Sequence, residues 1–243
     1  METPEVQQHI EAWLPPDMLG AFGLPYQPTF GQAKYINDYH RRLAQGPHKD
    51  VEGMAIIDSV IPGWLRVEEA LKLYEMAYYS QGDILEIGTY QGLSATFMSQ
   101  ALHHSGQPRT ILSVDISVEY ISAARRYIDE HGVGEVVQLL CCDAADAVDW
   151  LTQAGRQFGF VFVDRSHTFE DVLLVCQRLA PLVVDGGFVL FHDFNDPRNA
   201  DESRPDYGVS LAVYVGLPAD EFDFYGVFGS TALYRKQGWR EKA

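Results

Sequence analysis

From about residue 64 onward, short apolar segments alternate with longer amphipathic ones. Arg66 to Tyr79 spaces its apolar residues as one face of a helix does. The short apolar runs predict buried strands at Ile84–Ile87, Thr110–Ile116, Val136–Cys142, Phe160–Val163 and Phe188–Phe191. The segments between and after them predict helices at Leu93–His104, Glu119–His131, Ala145–Ala154, Phe169–Ala180 and Val209–Val215.

This alternation predicts an α/β fold, a doubly wound, Rossmann-like sheet of seven mostly parallel strands with helices on both faces. The last two strand-like runs, Glu221–Val227 and Ser230–Tyr234, break the alternation and are joined by Phe228-Gly229. They predict an antiparallel C-terminal hairpin that completes the sheet. The polar segment Asn195–Tyr207 is either a loop over the carboxyl ends of the strands or a disordered surface loop.

Residues 1–60 differ from the rest because they are rich in proline and aromatic residues. Helices are plausible near 4–13 and 32–45, on either side of a proline-broken connection. We therefore predict two parts, a helical and aromatic N-terminal extension over 1–60 and a ligand-binding domain over 61–243. A segment too small to fold alone should dock on the main domain as a lid or on a second subunit, so a homodimer is one expectation.

Composition narrows the classes of partner. The chain has 243 residues and a formal net charge of −16, which disfavours nucleic acid as a ligand. It contains no apolar run of about 18 residues, so no membrane span is expected. The acidic N-terminus has no signal-peptide pattern, and the three cysteines show neither zinc spacing nor a disulfide framework. A cytoplasmic, reducing location is the expectation.

The segment Asp83–Ala95 carries the most informative motif. An apolar strand runs into the acid Glu86, then Gly88 and Gly92, and then a predicted helix. Open α/β domains present their backbone to nucleotide-like ligands at such strand-to-helix turns. Glycine turns after strands are nevertheless common, so the motif alone is a weak signal.

The glycine spacing does not match a dinucleotide fingerprint. Counted from Gly88, that fingerprint needs glycines at 90 and 93, where the chain has Tyr90 and Leu93. The carboxylate of Glu86 would repel a pyrophosphate but suits a cationic ligand. S-adenosylmethionine carries an ammonium and a sulfonium and has no phosphate, so it is the cofactor that this spacing favours.

Acids at the next two strand ends extend the predicted site. Asp115, at the end of the second strand, suits the hydroxyls of a ribose. Its alternative role is a helix N-cap, for which Ser117 is the better candidate. Asp143 follows the third strand and would bind the amino group of an adenine, cap the next helix, or do both.

Two acids and two histidines follow the fourth and fifth strands: Asp164, His167, His192 and Asp193. Asp164 and Asp193 could hold a divalent cation such as Mg²⁺, with His192, Asn195 or water completing the shell. Alternatively, His167 or His192 is a general base that removes a proton from a substrate hydroxyl. A single acid or histidine at a strand end is usually a turn or cap residue, but four on neighbouring strands favour a functional site.

Together these motifs resemble the class I S-adenosylmethionine-dependent methyltransferases over residues 60–236. The resemblance rests on Glu86-Ile-Gly88-x-x-x-Gly92, the later strand-end acids and the terminal strand Gly229–Arg235. Within that class, Gly63-Trp64-Leu65, the stretch Phe162 to Glu170 and the stretch Gly186 to Asp193 are similar to methyltransferase family 24 and its sugar and natural-product O-methyltransferases. Residues 1–60 show no resemblance.

The resemblance implies a set of cofactor-binding residues: Glu86, Gly88, Tyr90, Gly92, Ser94, Asp115, Ile116, Asp143, Ala144 and Asp164. It also implies that Asp164 and Asp193 correspond to the metal-binding acids of the related catechol O-methyltransferases. Those enzymes have asparagine after the second acid, where this chain has Phe194, and they use a lysine base that is missing here. The resemblance therefore puts metal dependence in doubt and favours a histidine base.

The predicted function is S-adenosylmethionine-dependent O-methylation of a small hydroxylated molecule, such as a phenol, a sugar or a natural product. One alternative is a protein of the same fold that uses bound S-adenosylmethionine for other chemistry. A nicotinamide-dependent oxidoreductase is the other, and the missing glycines at 90 and 93 together with Glu86 weigh against it.

Overall fold

The computed structural model describes residues 48–51 and 54–238, which form two sheets flanked by helices. The strands are β1 (His48–Val51), β2 (Met54–Ile57), β3 (Ile84–Ile87), β4 (Ile111–Asp115), β5 (Val137–Cys141), β6 (Phe158–Val163), β7 (Val183–Phe191), β8 (Phe222–Phe228) and β9 (Thr231–Lys236). The α-helices are α1 (Val67–Tyr79), α2 (Leu93–Ser105), α3 (Val118–Glu130), α4 (Ala144–Gln153), α5 (Phe169–Cys176) and α6 (Val209–Gly216). Every strand and helix predicted between 66 and 234 is present, although β7 begins at Val183 rather than Phe188 and α5 ends at Cys176.

The larger sheet has seven strands in the order β5-β4-β3-β6-β7-β9-β8. Strands β3 to β7 are parallel, and β9 runs antiparallel to both β7 and β8. This arrangement confirms the predicted doubly wound sheet with an antiparallel C-terminal hairpin. The chain builds outward from β3 to β5 and then returns to place β6 beside β3, so the strand order reverses between β3 and β6. Ligands bind at such a reversal, beyond the carboxyl ends of the strands.

Apolar side chains alternate between the two faces of the sheet and build a core on each. Ile84 of β3 belongs to the core shared with α1, α2 and α3, whereas its neighbour Leu85 belongs to the core shared with α4, α5 and α6. This alternation follows from the two-residue period of a strand. Burial of each large apolar side chain contributes about 2 kcal/mol, so the two cores hold the strand ends rigidly in place.

The described part of the N-terminal extension is a strand pair. β1 and β2 pair antiparallel, with His48 opposite Ile57 and Val51 opposite Met54. The sequence does not predict these two strands, because strands of four residues are too short to show a period in the sequence. The helices predicted near 4–13 and 32–45 lie outside the described residues. Ile57 is buried in the core beside α1, so the pair packs on the main domain.

The polar segment between β7 and α6 is folded over the carboxyl ends of the strands. A 3₁₀ turn spans Pro197–Ala200, and the Asn199 side chain donates to the carbonyl oxygens of Asp193, Phe194 and Asp196. Tyr207, at the end of the segment, is buried. Of the two alternatives for this segment, the loop over the sheet edge is the one observed. In the part of the chain that the structure describes, no helix has the length and apolar character needed to cross a membrane.

Candidate active site

A cavity of about 1290 Å³ opens at the carboxyl ends of the parallel strands. Single-ligand pockets range over roughly 300–1,000 Å³, so this cavity has room for two molecules. The predicted site residues that line it are Gly88, Tyr90, Asp115, Ile116, Asp143, Ala144, Asp164, His167, His192 and Asp193. The topology therefore brings the strand-end residues into one site, as the sequence predicts.

Gly88 brings the end of β3 close to the end of β6. Its φ of 104° lies in the region that favours glycine, and a Cβ at this position would overlap the carbonyl oxygen of Asp164. The Gly88 amide donates to the Val114 carbonyl at 2.8 Å, which ties the turn to β4. The glycine is therefore required by the close approach of two strand ends at the point where the strand order reverses.

Asp115 holds the glycine turn and the next helix together. One carboxylate oxygen accepts from the Tyr90 amide at 2.8 Å and the other accepts from the Ser117 amide at 2.9 Å. Ser117 caps α3, as expected, by accepting from the Tyr120 amide. Each Asp115 oxygen still has a lone pair directed away from these bonds, because a carboxylate oxygen accepts about two. The geometry therefore leaves Asp115 able to accept from two hydroxyl groups in the cavity.

Three exposed apolar side chains stand beside Asp115 at the cavity wall. Tyr90, Ile116 and Tyr120 are 42%, 70% and 41% exposed, and all three line the cavity. The two tyrosine rings meet edge to face with their centroids 4.6 Å apart. Tyr90 has a φ of 45°, which is uncommon for a residue with a side chain and is strained. This backbone conformation places the Tyr90 ring at the cavity wall beside Ile116 and Tyr120, where a flat, apolar ligand group could pack.

Asp143 combines both of its predicted possibilities. One carboxylate oxygen caps α4 by accepting from the Ala145 amide at 2.7 Å. The residue also lines the cavity next to Ala144, and its other oxygen lies 3.9 Å from the Arg165 guanidinium. Capping fixes the position of the carboxylate without using all of its acceptor capacity.

Glu86, Gly92 and Ser94 are not placed in the lining of the cavity. The Glu86 side chain is buried on the face of β3 that α2 covers, where it accepts from the hydroxyls of Ser94 and Ser113. Burial raises the pKa of Glu86 to about 8, although the two hydroxyl bonds partly oppose the shift. The residue is therefore protonated at neutral pH, and it anchors α2 and β4 rather than facing a cationic ligand. Gly92, with a φ of 89°, is the residue that begins α2.

His167 and Asp193 form a close histidine–carboxylate pair in the cavity lining. Nε2 of His167 lies 3.0 Å from an oxygen of Asp193, and the same oxygen accepts from the Tyr207 hydroxyl at 2.6 Å. The rings of His167 and Tyr207 stack with their centroids 4.8 Å apart. Burial favours protonation of Asp193, but His167, His192 and Tyr207 outweigh it and hold the pKa of Asp193 far below its usual value. A permanently ionised carboxylate thus orients a partly exposed imidazole.

His192 lies deeper and contacts carboxylates on both sides. Its Nε2 donates to Glu69 at 3.3 Å, and its Nδ1 lies 3.2 Å from Asp164 and 3.5 Å from Asp193. Those two contacts are ion pairs without hydrogen-bond alignment, because Nδ1 is buried and lacks a well-directed acceptor. Burial alone would lower the pKa of His192, but Asp164 and Glu69 reverse the effect and hold it well above its usual value. The ring is therefore a buried imidazolium.

The residues predicted to hold a divalent cation do not fit one. Both oxygens of Asp193 already have partners, since one accepts from Tyr207 and the other lies 3.4 Å from the Ser230 hydroxyl. The imidazolium of His192 lies between Asp164 and Asp193 and supplies positive charge there. In residues 48–51 and 54–238, no group of three or more histidine, cysteine, aspartate or glutamate residues is arranged to hold a metal ion.

Sequence analysis missed three residues that shape this site. Glu69 lies in the first turn of α1 and reaches His192 across 123 positions of sequence, so no local pattern identifies it. Tyr207 and Arg198 come from the segment over the strand ends, where the Arg198 guanidinium lies 4.1 Å from the centre of the Tyr207 ring. The one available signal was an isolated aromatic residue at the end of a polar loop.

Comparisons with known proteins find similarity over the part of the chain that lines the cavity. Residues 85–194, from β3 to just past β7, match a family model described as a methyltransferase domain. This match confirms the methyltransferase resemblance seen in the strand-end motifs. The matched stretch contains the glycine turn, Asp115, Asp143, Asp164, His167, His192 and Asp193.

Proteins similar to this chain are known from sequence and structure. A rhamnosyl O-methyltransferase of Mycobacterium leprae is 27% identical over 211 residues, which cover 84% of each chain. An O-methyltransferase of Streptomyces achromogenes involved in tomaymycin synthesis, solved with S-adenosylmethionine, has a TM-score of 0.62 at 17% identity and covers 98% of this chain and 92% of its own. An O-methyltransferase of Bacillus cereus, solved with S-adenosylhomocysteine, has a TM-score of 0.62 at 15% identity and covers 94% and 100%. Both solved structures share the fold of this chain.

Proposed function

We propose that this protein transfers the methyl group of S-adenosylmethionine to a hydroxyl group of a small molecule. The observation that carries the proposal is that one cavity is lined both by Asp115 and by the histidine–aspartate pair of His167 and Asp193. Asp115 is the residue that we expect to bind the ribose of the cofactor. The cavity volume supports simultaneous binding of a cofactor and an acceptor. The methyltransferase family match and the O-methyltransferase relatives support the same reaction.

Each cofactor group has a suitable counterpart in the described residues. Asp115 would accept from the ribose hydroxyls, and the wall of Ile116, Tyr90 and Tyr120 would cover the adenine. Asp143 would accept from the adenine amino group. The backbone of Gly88 would allow the methionine end to approach Asp164. S-adenosylmethionine, when bound, supplies an electrophilic methyl group on a positively charged sulfur.

The chain's own residues would supply the base and the alignment. Because Nε2 of His167 faces Asp193, the other ring nitrogen, Nδ1, would take the proton of the acceptor hydroxyl. The deprotonated oxygen would then be the nucleophile for the methyl group that a bound cofactor would supply, with the sulfur as the leaving group. Asp193 stabilises the imidazolium that forms, and Tyr207 keeps the ring in place by stacking. The cavity would contribute mainly by orienting the reactants.

A sugar hydroxyl is the acceptor class that we favour. The relative from Mycobacterium leprae is named as a rhamnosyl O-methyltransferase, and its match extends over 84% of this chain. The cavity lining includes the half-exposed ring of Trp64 and polar groups from Arg66 and Asp196. An aromatic face beside hydrogen-bonding groups suits a carbohydrate ring, which is apolar on its faces and polar at its edge.

The test is turnover of labelled S-adenosylmethionine with methyl α-L-rhamnoside, catechol and a simple phenol as acceptors. We expect stoichiometric S-adenosylhomocysteine and methylated product over many turnovers, with activity retained in EDTA. Cofactor consumption without methylated acceptor would favour other S-adenosylmethionine chemistry, and tight binding of reduced nicotinamide in a fluorescence titration would contradict the proposal.

The base is tested by His167→Gln, with His131→Gln as the matched control. His131 is exposed at the end of α3 and bonds only to its own helix. Loss of a general base lowers kcat by roughly 100-fold or more, so His167→Gln should show that loss while its affinity for S-adenosylhomocysteine is unchanged. Equal kcat values in the two variants would exclude His167 as the base.

A further inference from the structure

Glu69 is a completely buried carboxylate in the first turn of α1, and the proposed chemistry does not use it directly. Its Oε1 accepts from both the amide and the hydroxyl of Ser230 at 2.7 Å. Its Oε2 accepts from the Arg66 amide at 2.8 Å and from Nε2 of His192 at 3.3 Å. One side chain thus joins the start of α1, the end of β7 and the turn between β8 and β9.

The C-terminal hairpin is shaped to reach this carboxylate. Gly229 has a φ of 63°, and a Cβ there would lie 2.7 Å from Cγ and Oε1 of Glu69. A larger residue would push the turn away and remove the Ser230 amide from Glu69. The close approach buries the carboxylate with its oxygens saturated by donors, the condition under which a buried charge is stable.

From Glu69 a chain of charged contacts leads into the cavity. Glu69 holds Nε2 of His192, which turns Nδ1 towards Asp164 and Asp193. Asp193 in turn lies 3.0 Å from Nε2 of His167. Solvent exposure increases along this series of contacts, since Glu69 and His192 are buried and His167 is partly exposed. The orientation of the outermost imidazole therefore depends on contacts that begin at Glu69.

We propose that Glu69 is a positioning residue for methyl transfer, which acts through His192 and Asp193 on the orientation of His167. The inference rests on the proposed function, in which His167 is the base. Glu69 itself touches neither the acceptor nor the cofactor, because it does not line the cavity. A shift of about 1 Å in a reacting group can cost 100-fold in rate, so a remote carboxylate can control kcat.

The experiment compares Glu69→Gln with Glu68→Gln, which makes the same change one position away in the same helical turn. Glu68 lies in that turn without a described contact to His192. With methyl α-L-rhamnoside or catechol as acceptor, kcat of Glu69→Gln should fall about 10- to 100-fold while KM for S-adenosylmethionine is unchanged. The kcat of Glu68→Gln should stay within about two-fold of the wild-type value, as expected of a side chain outside the series of contacts from Glu69 to His167. Equal kcat values in the wild type and Glu69→Gln would overturn the proposal.

Ring signals in NMR test the same proposal without any acceptor. Glu69→Gln should move the Cε1–H signals of both His192 and His167, assigned by the variants that lack each ring, whereas Glu68→Gln should move neither. Movement of the His192 signal alone would show that the effect of Glu69 does not reach His167, and it would contradict the proposal. If the wild type methylates neither acceptor but both signals move, the proposed function fails, while the influence of Glu69 on the orientation of His167 is supported.

Ser230→Ala provides a second variant if Glu69→Gln does not fold. It removes the hydroxyl that donates to Glu69 and lies 3.4 Å from Asp193, and it keeps the backbone donor to Glu69. The expected result is that both histidine signals move in the same direction as in Glu69→Gln, but by a smaller amount. No movement of the His167 signal in a folded Ser230→Ala protein would count against the proposal.

Discussion

Gly88 determines how closely the ends of β3 and β6 approach. A Cβ at this position would overlap the Asp164 carbonyl oxygen, and its φ of 104° is unfavourable for other residues. We expect Gly88→Ala to cost about 3–5 kcal/mol of stability and to abolish binding of S-adenosylhomocysteine. Gly106→Ala is the control, because its φ of 65° is also positive and nothing lies within 4 Å of a Cβ there. It should cost about 1 kcal/mol and leave binding intact in calorimetry.

Asp115 is the residue on which the adenosine assignment depends. Replacement by alanine removes the acceptors of the Tyr90 and Ser117 amides as well as those proposed for the ribose. We expect Asp115→Ala to show no measurable binding of S-adenosylmethionine in calorimetry. Asp146→Ala, an exposed acid in the first turn of α4, should bind like the wild type. Wild-type affinity in Asp115→Ala would refute the ribose assignment.

At the scale of elements, the segment between β7 and α6 completes the site. It delivers Tyr207, whose hydroxyl donates to Asp193 and whose ring stacks on His167. Tyr207→Phe keeps the stacking and removes one hydrogen bond to a charged group, a change of about 1.5 kcal/mol that corresponds to roughly a ten-fold lower kcat. Tyr214→Phe on α6 is the control, because that side chain is 82% exposed. A kcat for Tyr207→Phe equal to that of Tyr214→Phe would show that the hydroxyl is dispensable.

Which elements and residues were predictable follows from how local their causes are. The five parallel strands are short and apolar, so their carboxyl ends and the residues after them were predictable as one edge. Glu86 was misplaced because it lies two residues after Ile84, and the period of a strand sends both to the face that α2 covers. Glu69 was not predictable, since its partners His192 and Ser230 lie 123 and 161 positions away.

At the scale of the molecule, the formal net charge of −16 does not show which groups are ionised in the folded protein, because burial and neighbouring charges shift the pKa of several of them. Glu86 is neutral near pH 7 because burial raises its pKa to about 8, whereas His192 is positively charged between Asp164 and Glu69. Asp193 stays ionised because of the histidines beside it. Asp193, which lines the cavity, therefore keeps its charge, and the buried Glu86 beneath the glycine turn does not.

The raised pKa of Glu86 makes the stability of the whole protein depend on pH. Below about pH 4.5, the usual pKa of a glutamate, Glu86 carries its proton in both the folded and the unfolded states. Between that pH and about 8, the unfolded state releases the proton and the folded state retains it. The free energy of unfolding therefore loses up to about 1.4 kcal/mol per pH unit from this one group, and the loss is complete above the folded pKa.

Glu86→Gln removes this dependence, because glutamine resembles the protonated acid in shape and never ionises. It can keep its bonds to the hydroxyls of Ser94 and Ser113, which rotate to donate or accept. We expect the variant to match the wild type near pH 5 and to exceed it increasingly up to pH 8, measured as the free energy of unfolding in urea. Glu119→Gln, at a fully exposed position on α3, should leave the wild-type pH dependence unchanged. Parallel curves for the wild type and Glu86→Gln between pH 5 and 8 would mean that the buried carboxyl is ionised in the folded protein.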